Sequence, residues 1–533
     1  MIKNIYCFLQ AAKRCKVFYN LLVTACGAET MMWPKFRFIL LMPGKGELPA
    51  SEVSIFASLQ QEKKWVEAVK LYESMLSRQR DYLPALNALA KVAYENKDFE
   101  ASFQLLARIM KKYPLQPLWL NNLAVVMVAR DDLSKAETIF RKALTYKSGN
   151  VEILYNWGCL LVCQGKAEIA LEVWRQGLDR QSSHRPTLFA LSRLSKELGL
   201  VADAILYCRQ LVAMAPDEAE YQQNLGLMLL KQGDLLEGFK LYEARWQANR
   251  LSRLPLEQLW DGDISLLKDK TILIWAEQGL GDTLQFTRYL PQLQTVAKHV
   301  VVAVPDLLIG LMQSSFSLLE VISIKELKKV NYQLQVPLLS LPCLFGSTLA
   351  NLPDRVPYLQ IEKGFLERWR KNLGSDKKLQ VGLVWGGNPA HRNNARRSML
   401  LSLFVSLFKV GGVSWYSLQK GEHEKELEEF LSTLGNSACL KNLAPKLESF
   451  EDTAAAINLL DLVISVDTSV AHLAGALARP TWVLLPFDAD WRWMLERDDS
   501  PWYPTVRLFR QPEPGNWESV IEAVQNSMED LLR

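Results

Sequence analysis

Two segments combine glycines, carboxylates and hydroxyls as a ligand site requires. In the first, Trp275-Ala276-Glu277-Gln278-Gly279-Leu280-Gly281-Asp282-Thr283-Leu284-Gln285, an apolar run ends at Ala276 and a helix is predicted to start near Asp282. Gly279 and Gly281 permit a tight turn and let backbone approach a ligand closely. Asp282 is thereby expected at a helix N-terminus, pointing into a cleft. Taken alone it reads as an N-cap, for which Asp is a favoured residue. In the second, a continuous apolar strand, Leu462 to Val466, runs into Asp467-Thr468-Ser469-Val470-Ala471-His472, with a helix beginning at Thr468 or Ser469. The free N–H groups and dipole of such a helix suit a diphosphate. Thr468 and Ser469 add hydroxyl donors, and His472 stands one turn in, on the side that could reach a phosphate. Capping plus a satisfied core His is the plainer alternative, but a polar triplet directly after a buried strand fits phosphate contact better than packing.

Metal and thiol chemistry find no support. The eight cysteines fall at 7, 15, 26, 159, 163, 208, 343 and 439, none in a CxxC, and the five His are scattered. Cys159 and Cys163 are four apart on a predicted helix, yet without a neighbouring His or Cys pair they read as small core residues. Asp488-Ala489-Asp490 has the Asp-x-Asp spacing of a manganese site, but it follows a strand and precedes Trp491, so it reads as structural. The aromatic group Trp491, Trp493, Trp502 and Tyr503 suits either stacking on a base or sugar, or core packing and closure between domains.

The two junctions need sheets to position them. Short β-type runs at Thr271–Ala276, Val300–Val304, Val321–Ile324, Gln380–Trp385, Ser414–Leu418, Leu462–Val466 and Thr481–Leu485 alternate with helical patterns. That alternation implies parallel sheets covered on both faces. The runs form two sets, before and after the charged stretch Glu362–Lys378, so two Rossmann-like halves are expected to face a cleft, with ligands beyond the carboxyl ends of the strands.

The N-terminal half is governed by a repeat. Leu89-Ala90, Leu123-Ala124, Trp157-Gly158, Leu191-Ser192 and Leu225-Gly226 are each 34 residues apart. Twelve residues after each small residue comes another, at Ser102, Ala136, Ala170, Ala204 and Gly238, and four further on stand Leu106, Phe140, Trp174, Cys208 and Tyr242. A 34-residue period with small residues where paired helices cross is the tetratricopeptide pattern. The small residues are expected to let the two helices of a repeat touch, and the bulky ones to fill space toward the next repeat. The pattern covers about 54–247. Such superhelices commonly seat a peptide or partner helix in their concave face; an array that only dimerises the chain or carries its second half is the alternative.

Length and charge bound the rest. The 533 residues suggest three or four domains at roughly 150 residues each. With 49% hydrophobic and 23% charged residues the chain can bury several cores, and no run approaches the roughly 18–20 apolar residues of a membrane span. The net charge of +4 comes from the start: residues 1–50 hold seven Lys/Arg and two Asp/Glu, leaving 55 basic against 56 acidic residues beyond. A nearly neutral body argues against nucleic acid as the main ligand. In the leader, Lys13, Arg14 and Lys16 precede the apolar run Val17 to Ala25 and then Cys26, like an export signal with a lipoprotein box. That run is short and interrupted by Asn20, and Met31 and Met32 offer later starts, so an ordinary basic leader or an over-extended start is the better reading. A reduced, metal-free cytoplasmic protein is expected.

Taken together, the motifs EQGLGDTLQF (277–286), GLVWGGNPAHRNNARRSM (382–399), SLQKG (417–421), DLVISVDTSVAHLAGAL (461–477), LLPFDADWRW (484–493) and SPWYP (500–504) make 258–533 resemble the heptosyltransferase-like (family 9-like) glycosyltransferases. More closely, the chain resembles the branch in which tetratricopeptide repeats precede that domain. The implied fold class is α plus α/β, an α-solenoid followed by a pair of Rossmann-like domains of glycosyltransferase B type. The implied division is a leader at 1–50, a superhelix of about five or six repeats at 51–250, and Rossmann-like domains at 258–372 and 375–533. The resemblance implies metal-independent transfer of a sugar from a nucleotide-diphosphate donor to a hydroxyl, with inversion and no cofactor. Asp282 matches the general base of the acceptor hydroxyl, with Gly279 and Gly281 as its glycine loop; an inverting enzyme needs only one such base. Arg397 matches the cation set against the donor phosphates. Asp467, Thr468, Ser469 and His472 match the nucleotide-diphosphate helix, although Ser469 stands where those enzymes usually have Gly. Lys420 and Glu422 are weaker candidates for phosphate and ribose. The implied partners are a nucleotide sugar and a protein or peptide in the repeat groove, with peripheral membrane association left open. Peptide glycosyltransferases of the O-linked N-acetylglucosamine type share the architecture, but these motifs are of the heptosyltransferase type. The competing function is a repeat scaffold whose transferase half is weak or inactive.

Overall fold

The computed structural model describes residues 65–146, 150–249, 258–373, 377–391, 393–434 and 440–533; the leader expected over 1–50 lies outside them. The chain divides into two compact units, 1–195 and 196–533.

The first unit is helical. It contains α1 (Trp65–Arg78), α2 (Leu83–Glu95), α3 (Phe99–Lys112), α4 (Pro117–Ala129), α5 (Leu133–Tyr146), α6 (Val151–Cys163), α7 (Ala167–Arg180) and most of α8 (Arg185–Glu197). Prolines in the first turns of α2 and α4, and side-chain caps from Asp98 and Asn150, start helices in phase with the repeat. The small residues do what their spacing requires. Ser102 on α3 donates its hydroxyl to the Ala90 carbonyl on α2 at 2.8 Å. A Cβ added at Gly158 would lie 2.1 Å from Trp174 Nε1, and that indole donates to the Tyr155 carbonyl at 2.9 Å. Trp174 therefore fills space within its own repeat rather than toward the next, because Gly158 leaves a hollow directly beneath it. Across repeats runs a buried amide chain: Asn156 donates to Asn121 at 3.0 Å, Asn121 to Asn122 at 3.1 Å, and Asn122 to Asn87 at 3.0 Å.

The second unit opens with four more helices, α9 (Val201–Met214), α10 (Ala219–Gln232), α11 (Leu235–Tyr242) and α12 (Arg245–Ala248). Two parallel sheets follow. The first, ordered β3-β2-β1-β4, contains β1 (Thr271–Trp275), β2 (His299–Val304), β3 (Glu320–Ser323) and β4 (Leu334–Pro337). The second, ordered β10-β9-β8-β5-β6-β7, contains β5 (Leu379–Val384), β6 (Val413–Ser417), β7 (Leu440–Asn442), β8 (Leu462–Val466), β9 (Thr481–Leu485) and β10 (Val506–Arg510). All seven strands expected from the sequence form, within a residue at either end. Three more appear. β7 and β10 are edge strands, one only three residues long and the other alternating with Arg. β4 lies at the edge of its sheet and carries Gln335, whose amide oxygen takes the buried Trp275 indole N–H at 2.8 Å. Edge strands bury less and so show a weaker apolar pattern.

The last repeat helices share the α/β core. Leu230, Leu235, Phe239 and Tyr242 join one apolar cluster with Ile272, Ile274, Phe286, Trp491 and Trp502. The other face of the first sheet, Leu273, Trp275, Val301 and Ala303, packs on Trp246 of α12. Phe239 meets both Phe286 and Trp491 edge-on, at centroid distances of 6.4 and 5.5 Å. A chain beginning at residue 258 loses these side chains, each worth roughly 1.5–3 kcal/mol when fully buried. It should be recovered insoluble or melt well below a chain beginning at residue 196, followed by circular dichroism; equal melting points would rule out a stabilising role for the repeat end.

Candidate functional site

Both sheets have an order in which the chain turns back beside its first strand: β1 lies beside β4, and β5 beside β8. In doubly wound sheets the crevice beyond the carboxyl ends of the strands, at that reversal, is where ligands bind. The segments there are Glu277–Asp282 after β1, Gly386–Arg397 after β5, and Asp467–Ser469 after β8.

At the first junction α13 (Leu280–Phe286) starts two residues earlier than the sequence suggested. Gly279 is the N-cap and Asp282 the third helical residue, so Asp282 is not an N-cap. Its Oδ2 reaches back to accept the Gly279 N–H at 2.9 Å. Its Oδ1 accepts from Arg492 Nη2 at 2.5 Å. A carboxylate has about four acceptor positions, so each oxygen retains one. The Asp282 side chain is 21% exposed and can be reached by a ligand.

At the second junction Thr468 caps α15 (Ser469–Ala476), its hydroxyl accepting the Val470 N–H at 3.3 Å; the short helix α14 (Asn394–Arg397) precedes it in the chain. Asp467 stands directly before the cap. Burial, then the charge of Asp490, push its carboxyl up to about 6 against the opposing pull of Arg397. Arg397 packs over Gly387, where a Cβ would lie 2.9 Å from its Nε, and that Nε is buried with no hydrogen-bond partner. The two junctions meet. A Cβ added at Gly281 would lie 2.9 Å from His472 Cδ2 and 3.6 Å from Ser469 Cα. Asp282, Arg397, Asp467, Thr468, Ser469 and His472 are thus brought to one place, with Gly281 making the approach possible.

His472 is turned into this seam. It is buried, stacks on Trp493 at 5.2 Å, and its Nδ1 lies 3.1 Å from the Tyr503 hydroxyl. Burial first, and Arg492 next, hold its pKa down to about 3, so the ring is neutral. Its Nε2 stands 4.0 Å from Asp467 Oδ1, which leaves that nitrogen as its reach toward a ligand. Lys420 and Glu422 are not drawn into the group in the same way. Lys420 donates to the Ala444 carbonyl at 2.9 Å, and Glu422 is exposed. The aromatic group resolves to packing: Trp491, Trp493, Trp502 and Tyr503 are all buried in the shared core. Asp488 is paired with Lys231, and Asp490 with Arg492 at 2.8 Å.

Three residues were not singled out by sequence. Arg492 is buried and joins the halves, donating to Asp282, Asp490 and, at 2.8 Å, Gln285 Oε1. His391 sits where the charges of Arg397, Asp490, Asp282 and Arg492 all act on it; burial is the main reason its pKa is lowered. Glu277 opens the glycine loop but is buried against Arg245. All three lie inside the quoted motifs; Arg492 stands between Trp491 and Trp493, which was a local signal for it, while Glu277 and His391 have no such neighbour.

Residues 416–484 match the glycosyltransferase family 9 (heptosyltransferase) profile, and residues 59–126, 155–219 and 189–250 match tetratricopeptide repeat profiles. Protein FlbA of Caulobacter vibrioides is 26% identical over 503 residues, covering 88% of this chain and 82% of FlbA. The family 9 glycosyl transferase of Veillonella parvula superposes with a TM-score of 0.39 at 13% identity, over 50% of this chain and 98% of that one. The ADP-heptose lps heptosyltransferase II of E. coli does so with a TM-score of 0.34 at 15% identity, over 49% and 99%. The chain carries tetratricopeptide repeats in its N-terminal region and, after them, a glycosyltransferase family 9 (heptosyltransferase) domain.

Proposed function

We propose that this protein is an inverting glycosyltransferase that moves a sugar from a nucleotide-diphosphate donor to a hydroxyl acceptor without a metal ion. The observation that carries the reading is the contact of Gly281 with α15, which sets the Asp282 carboxylate beside the helix N-terminus. The donor diphosphate takes the Ser469 N–H and hydroxyl at the start of α15, with the helix dipole, and the Arg397 guanidinium. These neutralise charge on the leaving group as it grows, where a divalent ion would otherwise act. The pairing of Asp488 and Asp490 with Lys231 and Arg492 supports that choice, since neither carboxylate is left to bind a cation. Asp282 takes the acceptor's hydroxyl proton as the acceptor oxygen bonds to the anomeric carbon and the sugar–phosphate bond breaks, releasing the nucleoside diphosphate. One displacement inverts the carbon. The repeats recruit a protein or peptide partner in their groove.

The full chain should melt several degrees higher with one of UDP, GDP, ADP or CDP, equally with magnesium or EDTA; a ligand at 100 times its Kd adds about 2.7 kcal/mol. His472→Ala should abolish the shift. No shift with any nucleotide would favour the repeat scaffold with an inactive transferase half. With the donor so identified, Asp282→Asn should keep the shift and lose roughly 100-fold or more in sugar transfer; unchanged transfer removes Asp282 from the mechanism.

Asp467 gives a test through pH. Its folded pKa, raised to about 6, lies above the ordinary carboxylate value, so the folded state binds the extra proton and wild-type stability falls as pH rises from about 4 to 6. Asp467→Asn escapes that loss. It should be more stable than wild type by something on the order of 2–3 kcal/mol at pH 7.5, with the advantage shrinking below pH 6 and gone near pH 4. Urea denaturation across that range reads it.

A further inference from the structure

Asp282 is held in place from two sides, and each chain of contacts ends on a buried cation of the last repeat helices. On one side Arg245, wholly buried at the start of α12, donates through Nε and Nη2 to a single oxygen of Glu277, at 3.0 and 2.6 Å. Nη2 also reaches the Ser340 hydroxyl at 2.8 Å, and Nη1 reaches Glu243 at 2.5 Å. Glu277 begins the glycine loop that carries Asp282 five residues later, and the next residue, Gln278, donates to the Tyr242 hydroxyl at 2.9 Å. The repeat end therefore grips the loop at two successive side chains. On the other side Lys231 of α10, 2% exposed, pairs with Asp488. Two residues on, Asp490 Oδ1 accepts from the Arg492 backbone N–H and Nη1, and Arg492 Nη2 completes the path to Asp282.

These contacts are costly for packing alone. A buried ion pair must repay the desolvation of both charges, and apolar residues of similar volume are often as good or better for stability. A planar guanidinium that sets two N–H groups on one oxygen of Glu277 fixes direction as well as distance, which is what a loop that must present a carboxylate requires.

We propose that Arg245 and Lys231 are positioning residues of the transferase site, so that the last repeat helices are a working part of it. The proposal rests on reading Asp282 as the base. Arg245 acts through Glu277 on the loop, and Lys231 through Asp488 on the segment bearing Arg492. Neither touches the diphosphate position at the start of α15, so loss of either should slow transfer while leaving nucleotide affinity in place.

Burial pushes the Glu277 carboxyl up to about 7 even beside Arg245, so a neutral residue at 245 leaves a protonated Glu277 rather than a bare buried charge. Arg245→Met is therefore the variant of choice, and Arg245→Met with Glu277→Gln is a second that removes both charges should the first fail to fold. The test uses the full chain and UDP-, GDP-, ADP- and CDP-sugars with water as acceptor, reading nucleotide release. Arg245→Met should lower kcat by about tenfold or more with nucleotide Kd unchanged to within about twofold. Arg245→Lys should recover part of the loss. In an Asp282→Asn background Arg245→Met should add nothing, because its effect passes through Asp282. A kcat equal to wild type, or a loss that persists undiminished in the Asp282→Asn background, overturns the proposal while leaving Asp282 as the base. A wild type that releases no nucleotide from any donor overturns the reading of Asp282, and the proposal with it.

Discussion

His472 lies so close to Gly281 that a Cβ there would come within 2.9 Å of its ring, and this contact sets the distance between the two strand-to-helix junctions. Any side chain at 281 would push α13 from α15 and carry Asp282 away with it. His472 cannot yield: it is stacked on Trp493, set against the Tyr503 hydroxyl, and enclosed by the same aromatic core that Phe239 and Tyr242 of the repeats complete. Close-packed interiors transmit such strain rather than absorb it. The glycine thus ties the position of one carboxylate to the packing of the whole second unit.

Charge in the seam follows the same logic. His472 is held neutral, so Arg397 and Arg492 are the cations facing Asp282, Asp467 and Asp490. Arg492 pairs directly with Asp282 and Asp490. Burial opposes ionisation of Asp490, but the adjacent Arg492 outweighs it and holds that carboxyl low. Asp467 has burial first and then the charge of Asp490 against its ionisation, and the opposing charges of Arg397 and Arg492 do not offset them, so its carboxyl rises. Arg397, with its unpartnered Nε, is then the cation with capacity to spare for an anion at the start of α15.

The sequence showed the elements more readily than their contacts. Six of the seven strands read from the sequence were legible because burial on both faces leaves a period-independent signature, while β3, at the edge of its sheet, was legible only by its short run from Val321 to Ile324. The edge strands β4, β7 and β10 were not, since each is short or interrupted by polar residues. Gly158 and Trp174 were readable as a repeat position and its bulky partner, but not that they meet within one repeat, because spacing gives the period and not the direction a side chain takes. At the site, Asp282 and Asp467 to Ser469 were legible as polar residues at strand ends, and Arg397 only through the family resemblance. Arg492 was not: its partners, Asp282 and Gln285, lie more than 200 residues away, and no local pattern encodes a pairing of that range. The buried Lys231, Arg245 and Glu277 escaped for a related reason. A charged residue reads as surface until its partner is known.

The join between repeats and transferase follows from what a parallel sheet demands. Its strands are apolar on both faces and must be covered on both. In the first sheet Ile272, Ile274, Val300 and Val302 face the shared core, while Leu273, Trp275, Val301 and Ala303 face Trp246, with Ile322, Leu327, Val330 and Tyr332 around the margin. A solenoid ending before α12 would leave that second face without its central side chain. It would also leave Glu277 without Arg245, and so a buried carboxyl without its counter-charge. The same four-residue helix therefore closes a core and grips a loop. Tetratricopeptide helices usually pass from repeat to repeat with only nearest neighbours in contact; here the series is stopped by a sheet that needs its last member, and the stop lies within hydrogen-bonding reach of the loop that carries Asp282.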